Sequence, residues 1–153
     1  MIIYIGADHR GFALKENIKR ALAADGREVI DVGAATLDPG DDYPDIARAL
    51  AEKVAAGGAE VRGIVICGSG FGADIVANKF NGVRCALAMS PEHICVGRHD
   101  DDVNVLSIAA DFTTPEKALA IARAFLSTPF EKEEERYVRR IQKIAQIEDG
   151  NKK

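Results

Sequence analysis

Five short, largely aliphatic segments fix the kind of fold open to this chain: Met1–Gly6, Glu28–Val32, Ile64–Ile66, Arg84–Met89 and Val103–Ala109. None alternates cleanly between apolar and polar residues, as a strand with one wet face would. Continuous apolar strands are buried on both faces, which is the habit of parallel sheets. Helix-length segments fall between and after them. Phe12, Leu14, Ile18, Ala21 and Leu22 recur at helical spacing, and Gly26 closes that helix. Tyr43-Pro44 opens a second helix through Ala55, which Gly57-Gly58 ends. Ala73–Lys79, Pro91–Arg98, Pro115–Leu126 and Glu131–Ile147 supply the rest. The alternation predicts a three-layer α/β/α sandwich around a five-stranded parallel, Rossmann-like sheet. With 153 residues, 47% of them hydrophobic, the whole chain suits one domain with a proper core.

In such sheets ligands bind beyond the carboxyl ends of the strands, where the winding reverses. Two polar turns stand out at strand ends. Ala7-Asp8-His9-Arg10-Gly11 follows the first strand, and Cys67-Gly68-Ser69-Gly70-Phe71-Gly72 follows the third. The two turns face one crevice if those strands are neighbours. Strand, glycine turn and helix together aim backbone N–H groups at an anion. A cysteine at the start of a helix sits where a thiolate is favoured. Cys67 and Ser69 thus offer a base or nucleophile beside an oxyanion site. The plainer alternative is a buried cysteine in an ordinary strand-to-helix turn. Gly68, Gly70 and Gly72 lack the spacing of the dinucleotide fingerprint, and no Lys-Ser/Thr follows to make a P-loop.

Several classes of function are disfavoured. A formal charge of -4, with no basic face, argues against nucleic acid. No apolar run is long enough to span a bilayer, and the first residues enter a strand rather than a signal peptide. Cys67, Cys85 and Cys95 are an odd number without metal-ligand spacing, so free thiols in the cytoplasm are expected, with Cys85 and Cys95 in the core. Asp100-Asp101-Asp102 reads as a solvated loop rather than a metal site.

Taken together, the segments resemble a known family: ribose-5-phosphate isomerase B and the galactose-6-phosphate isomerase subunits. The resemblance rests on Gly6–Phe12, Asp42-Tyr43-Pro44-Asp45, Ile66–Gly72, Ala77-Asn78-Lys79, Gly82-Val83-Arg84, Asn104-Val105-Leu106, Arg136 and Arg140, which span nearly the whole chain in order. It implies cofactor-free aldose–ketose isomerisation of a phosphorylated sugar through an enediolate. It also implies a homodimer, possibly a dimer of dimers, with shared active sites and the helix over 131–147 reaching the partner.

By resemblance, Cys67 is the base, because Ala73 stands where a second branch of the family has glutamate. Ser69 shuttles protons between substrate oxygens, and the N–H groups of Gly68, Gly70 and Gly72 hold the enediolate. Asp8 and Tyr43 contact sugar hydroxyls, while His9, Arg136 and Arg140 bind phosphate. Read alone, His9 is more often a structural or exposed turn residue, and the two arginines read first as a surface lattice with Glu133 and Glu135. The charged run Glu131–Glu135 is expected to form the first turn of the last helix.

Two departures from the family pattern bear on substrate. The ring-opening histidine position is Asp100, with Asp101 in the place of the following asparagine and His99 one residue early. A phosphate-binding arginine after the fifth strand is Asp111. Ribose 5-phosphate and ribulose 5-phosphate are the expected pair. A tetrose phosphate, which needs no ring opening, is the alternative substrate. A catalytically silent binding or assembly subunit is the alternative outside catalysis.

Overall fold

A computed structural model of the chain describes residues 1–150. Its strands are β1 (Ile2–Ala7), β2 (Glu28–Asp31), β3 (Val61–Cys67), β4 (Cys85–Leu87) and β5 (Val105–Ala109). The helices are α1 (Phe12–Ala24), α2 (Tyr43–Gly57), α3 (Phe71–Ala77), α4 (Pro91–Asp101), α5 (Pro115–Ser127) and α6 (Glu135–Gly150). The strands form one parallel sheet in the order β2-β1-β3-β5-β4. The expected five-stranded parallel sandwich is therefore present. The chain winds outward from β1 to β2, then crosses back to β3 and continues the other way. The reversal falls between β1 and β3.

The pleat divides the sheet's side chains between two cores. Ile3, Ile5, Ile64, Ile66, Leu106 and Ile108 point to one face, where Leu14, Ile18 and Leu22 of α1, Ile94 of α4 and Ile121 and Phe125 of α5 cover them. Val61, Val65, Cys67 and Val105 point to the other, against Ala47, Leu50, Ala51 and Val54 of α2 and Ala73 and Ala77 of α3. Each fully buried aliphatic side chain here contributes about 1.5–3 kcal/mol. Gly63 lies on the second face, where an added Cβ would meet Leu50 Cδ2 at 2.6 Å and Val54 Cγ2 at 3.0 Å. Helix α2 is seated directly on the backbone of β3 at that point.

Some boundaries differ from the sequence reading, each for a local reason. The fourth strand shrinks to Cys85–Leu87. Arg84 is drawn off by the Asn104 side chain, which accepts its N–H at 2.8 Å, and by Asp102, which takes its guanidinium at 2.7 Å. Of the expected acidic loop Asp100-Asp101-Asp102, the first two residues belong to the last turn of α4. Asp102 ends that helix with φ of +46° and accepts hydrogen bonds from Arg84 and Arg98, so it is a structural cap rather than a solvated acid. The last helix starts at Glu135 and not at Glu131. Glu131 instead donates its N–H to the carbonyl of His99 (3.0 Å), which pins the preceding segment to α4. Cys85 and Cys95 are only partly buried.

Candidate active site

The reversal between β1 and β3 brings the two polar turns side by side. Ala7 pairs with Ile66 in the sheet, and Asp8 donates its N–H to the Ile66 carbonyl at 3.3 Å. Asp8, His9, Arg10, Asp41, Asp42, Tyr43, Cys67, Gly68, Ser69 and Gly72 line one cavity of about 300 Å³. That size suits a small metabolite.

The glycine turn is shaped by close approaches. Gly70 has φ of +77°, and a Cβ there would meet Leu87 Cδ1 at 2.5 Å. Its carbonyl accepts a hydrogen bond from the buried Ser107 hydroxyl at 2.8 Å. Gly70 does not line the cavity; its place in the site is to form the turn. Gly72 leaves room for the Tyr43 ring, which lies 2.6 Å from where its Cβ would be. The first N–H groups of α3 have no partners within the helix, and they open beside Ser69. Cys67 ends β3, only 4% exposed, with its side chain on the α2–α3 face. The neighbouring Cys85 thiol is pushed well up by burial and by Asp74. Asn78 ties the end of α3 to β4 by bonding both the N–H and the carbonyl of Cys85, at 2.9 and 3.0 Å.

Opposite the thiol, Asp8 Oδ1 accepts the N–H groups of Arg10 and Gly11, both at 3.1 Å, which fixes the first turn. Asp41 Oδ1 accepts both the N–H of His9 and a bond from its Nδ1, each at 2.8 Å. That side-chain bond raises the His9 pKa against the opposing cost of burial, with the Asp8 and Asp41 charges adding to it. The imidazolium therefore persists to higher pH than in an ordinary histidine, leaving Nε2 to donate into the cavity. Arg10, at the rim of the cavity, makes an ion pair from its Nη2 to Asp111 Oδ2.

A second group of site candidates collects elsewhere, around Tyr137 at the start of α6. His99 Nδ1 lies 2.7 Å from Asp100 Oδ1, and its ring meets Tyr137 edge-on at 5.8 Å. Arg136 and Arg140 stack over the same ring at 4.8 and 5.9 Å. Arg136 pairs with Glu134 at 3.7 Å rather than with Glu133 or Glu135. Arg140 has no carboxylate partner among the described residues. The hydrogen bond from His99, then that from Tyr137 and the charge of Arg136, hold the Asp100 carboxyl below its ordinary range. Asp100 is thus an acceptor, suited to orienting His99 and not to giving up a proton.

The expected site residues therefore fall into two groups within one chain. Asp8, His9, Tyr43, Cys67, Gly68, Ser69 and Gly72 stand together; His99, Asp100, Arg136 and Arg140 stand together apart from them. Asp101 joins neither and lines a groove with Val103, Ile144 and Ile147. Sequence reasoning passed over Arg10, Asp41 and Tyr137. Their one signal was adjacency: each lies next to or between residues already singled out.

Thiol, hydroxyl, carboxylate and unpaired N–H groups around a small cavity at a switch point define an α/β protein equipped for proton transfer on a small ligand. Residues 3–144 match the Ribose/Galactose Isomerase family. The chain is 41% identical to ribose-5-phosphate isomerase B of Mycobacterium tuberculosis over 148 residues, 97% of this chain and 90% of that one. Ribose-5-phosphate isomerase B of Mycoplasma genitalium, solved with bound ribulose-5-phosphate, superposes with a TM-score of 0.92 at 38% identity, covering 97% and 96% of the two chains. The Clostridium thermocellum ribose-5-phosphate isomerase B gives a TM-score of 0.91 at 37% identity, covering 98% and 99%. The chain belongs to the ribose/galactose isomerase family.

Proposed function

We propose that this protein interconverts ribose 5-phosphate and ribulose 5-phosphate. The observation that carries the reading is one cavity lined by Cys67, Ser69, Asp8, His9 and Tyr43 in a chain so similar to ribose-5-phosphate isomerases B. In the aldose-to-ketose direction, the Cys67 thiolate removes the C2 proton. The C–H electrons form the C1–C2 double bond, and the carbonyl electrons move onto O1, giving a cis-enediolate. Ser69 passes the hydroxyl proton from O2 to O1. The C2 carbonyl then re-forms, and C1 takes back the proton from the Cys67 thiol. The turn N–H groups stabilise the enediolate charge, as preorganised donors do without reorganising. Asp8 and Tyr43 hold the sugar hydroxyls.

The phosphate needs cations, and His9 supplies one inside this cavity. Its contribution follows its protonation. Because the folded pKa is raised, His9 is fully charged below the ordinary histidine range and loses its proton only as pH climbs through the raised value. KM for ribose 5-phosphate is expected to hold steady through the ordinary histidine range and to rise only at higher pH, as His9 loses its proton. In Asp41→Asn the rise moves to lower pH. A KM–pH profile identical in the two proteins rules out the His9–Asp41 device.

The group around Tyr137 is the complementary half of the site. Its Asp100–His99 pair offers an oriented imidazole for ring opening, and its arginines offer a phosphate clamp. In one subunit this half lies apart from Cys67, which favours a homodimer in which each site takes one half from each chain. The free thiols fit a cytoplasmic enzyme.

An assay of the purified chain on ribose 5-phosphate and erythrose 4-phosphate tests both the activity and the histidine's role. Ribose 5-phosphate is expected to have the higher kcat/KM. A four-carbon phosphate cannot close the usual ring, so His99→Ala should cut pentose turnover about 10²-fold while sparing the tetrose. Preference for the tetrose phosphate would transfer the assignment to the shorter sugar. No turnover of either would leave the silent-subunit reading.

A further inference from the structure

The Arg10–Asp111 pair has no part in the chemistry above. Arg10 leaves the first turn and lays its guanidinium across the glycine turn of the other strand. A Cβ at Gly68 would come within 2.6 Å of Cζ and Nε and 2.9 Å of Nη1. Nη2 is held by Asp111, which is itself fastened to that turn by donating its N–H to the Gly68 carbonyl at 3.0 Å. No acceptor among the described residues takes the hydrogens of Nε or Nη1. The side chain is 56% exposed and lines the cavity beside His9 and Ser69.

The charge around the cavity gives this placement a use. Asp8, Asp41 and Asp42 line it, and a phosphate brings close to two further negative charges at neutral pH. Asp8 and Asp41 are engaged by turn N–H groups and by His9. Among the lining residues Arg10 alone carries a permanent positive charge. Its planar fork suits two phosphate oxygens.

We propose that Arg10 is a phosphate-binding residue of this site, held at a fixed reach from Cys67 by Asp111. The proposal rests on the sugar-phosphate reading and adds an anion contact from the same chain as the thiol. Asp111 is the positioning residue. Its own charge opposes the phosphate, so its value lies in fixing the fork on the glycine turn.

Steady-state kinetics and phosphate inhibition of the full-length protein test this. Arg10→Ala should raise KM for ribose 5-phosphate and Ki for inorganic phosphate about 10–100-fold, in line with losing a charged hydrogen-bond pair, with kcat changed much less. Arg10→Lys should recover part of the loss. Asp111→Asn, which keeps a hydrogen-bonding side chain, should bind phosphate at least as well as the natural protein, whereas Asp111→Ala should weaken it. An active Arg10→Ala enzyme with unchanged KM and Ki overturns the proposal and leaves the isomerase reading intact, as does a loss confined to kcat. If the natural chain turns over no sugar phosphate, the isomerase reading fails. Calorimetric titration with inorganic phosphate then decides the Arg10 contact: binding lost in Arg10→Ala upholds it, and binding equal in both proteins overturns it.

Discussion

Cys67→Ala is expected to abolish isomerisation while leaving the fold and ligand binding in place. Losing a general base costs about 10²–10⁴-fold, and here the same group both removes and returns the proton. The residue sits at the end of β3, so truncation removes one sulfur from the rim of the core and no hydrogen bond. Circular dichroism and inorganic phosphate binding should match the natural protein. Alkylation offers an independent check. Burial holds the Cys85 thiol protonated, so a small alkylating reagent should spare Cys85. Modification that inactivates, and that substrate prevents, belongs to Cys67. Near-normal turnover in Cys67→Ala would sink the assignment of the base.

Mixing two dead proteins should give a live one. In Cys67→Ala the half-site at the β1–β3 crevice is broken; in Arg136→Ala/Arg140→Ala the half-site around Tyr137 is broken. If each site draws one half from each subunit, a heterodimer of these chains has one site wholly intact and one doubly damaged. Random exchange makes half the dimers mixed, so about a quarter of natural activity should return. Native mass spectrometry would establish that exchange took place. Exchange without recovered activity would mean that each subunit builds its site alone.

The fold was legible because its signals are local. Aliphatic runs such as Ile64–Ile66 and glycine stops such as Gly26 and Gly57-Gly58 act within a few residues of themselves. The crevice was legible for the same reason, since Asp8 and Cys67 each follow directly on a strand and only the adjacency of β1 and β3 had to be guessed. What escaped depends on contacts between distant segments. Nothing around Asp41 announces that it will hold His9, thirty-two positions away. Nothing around Asp111 announces Arg10. The run Asp100-Asp101-Asp102 resembled a loop because its charges were read without partners. With Arg84 and Arg98 in place, Asp102 caps a helix that extends through His99 and sets that imidazole beside Asp100. Tyr137 was passed over between two arginines, although it is the ring on which both rest.

The missing side chain at Gly63 reaches further than its own strand. Because Leu50 and Val54 settle into the space it leaves, the body of α2 lies close to the sheet, and the start of the same helix carries Tyr43 to the surface of Gly72. One wall of the sugar cavity is thus hung from a buried seam far from any group that meets substrate. The width available to a ligand is set by how deeply a helix beds into a strand. Selection for longer or shorter sugars can therefore work on hidden aliphatic residues while every reacting group stays the same.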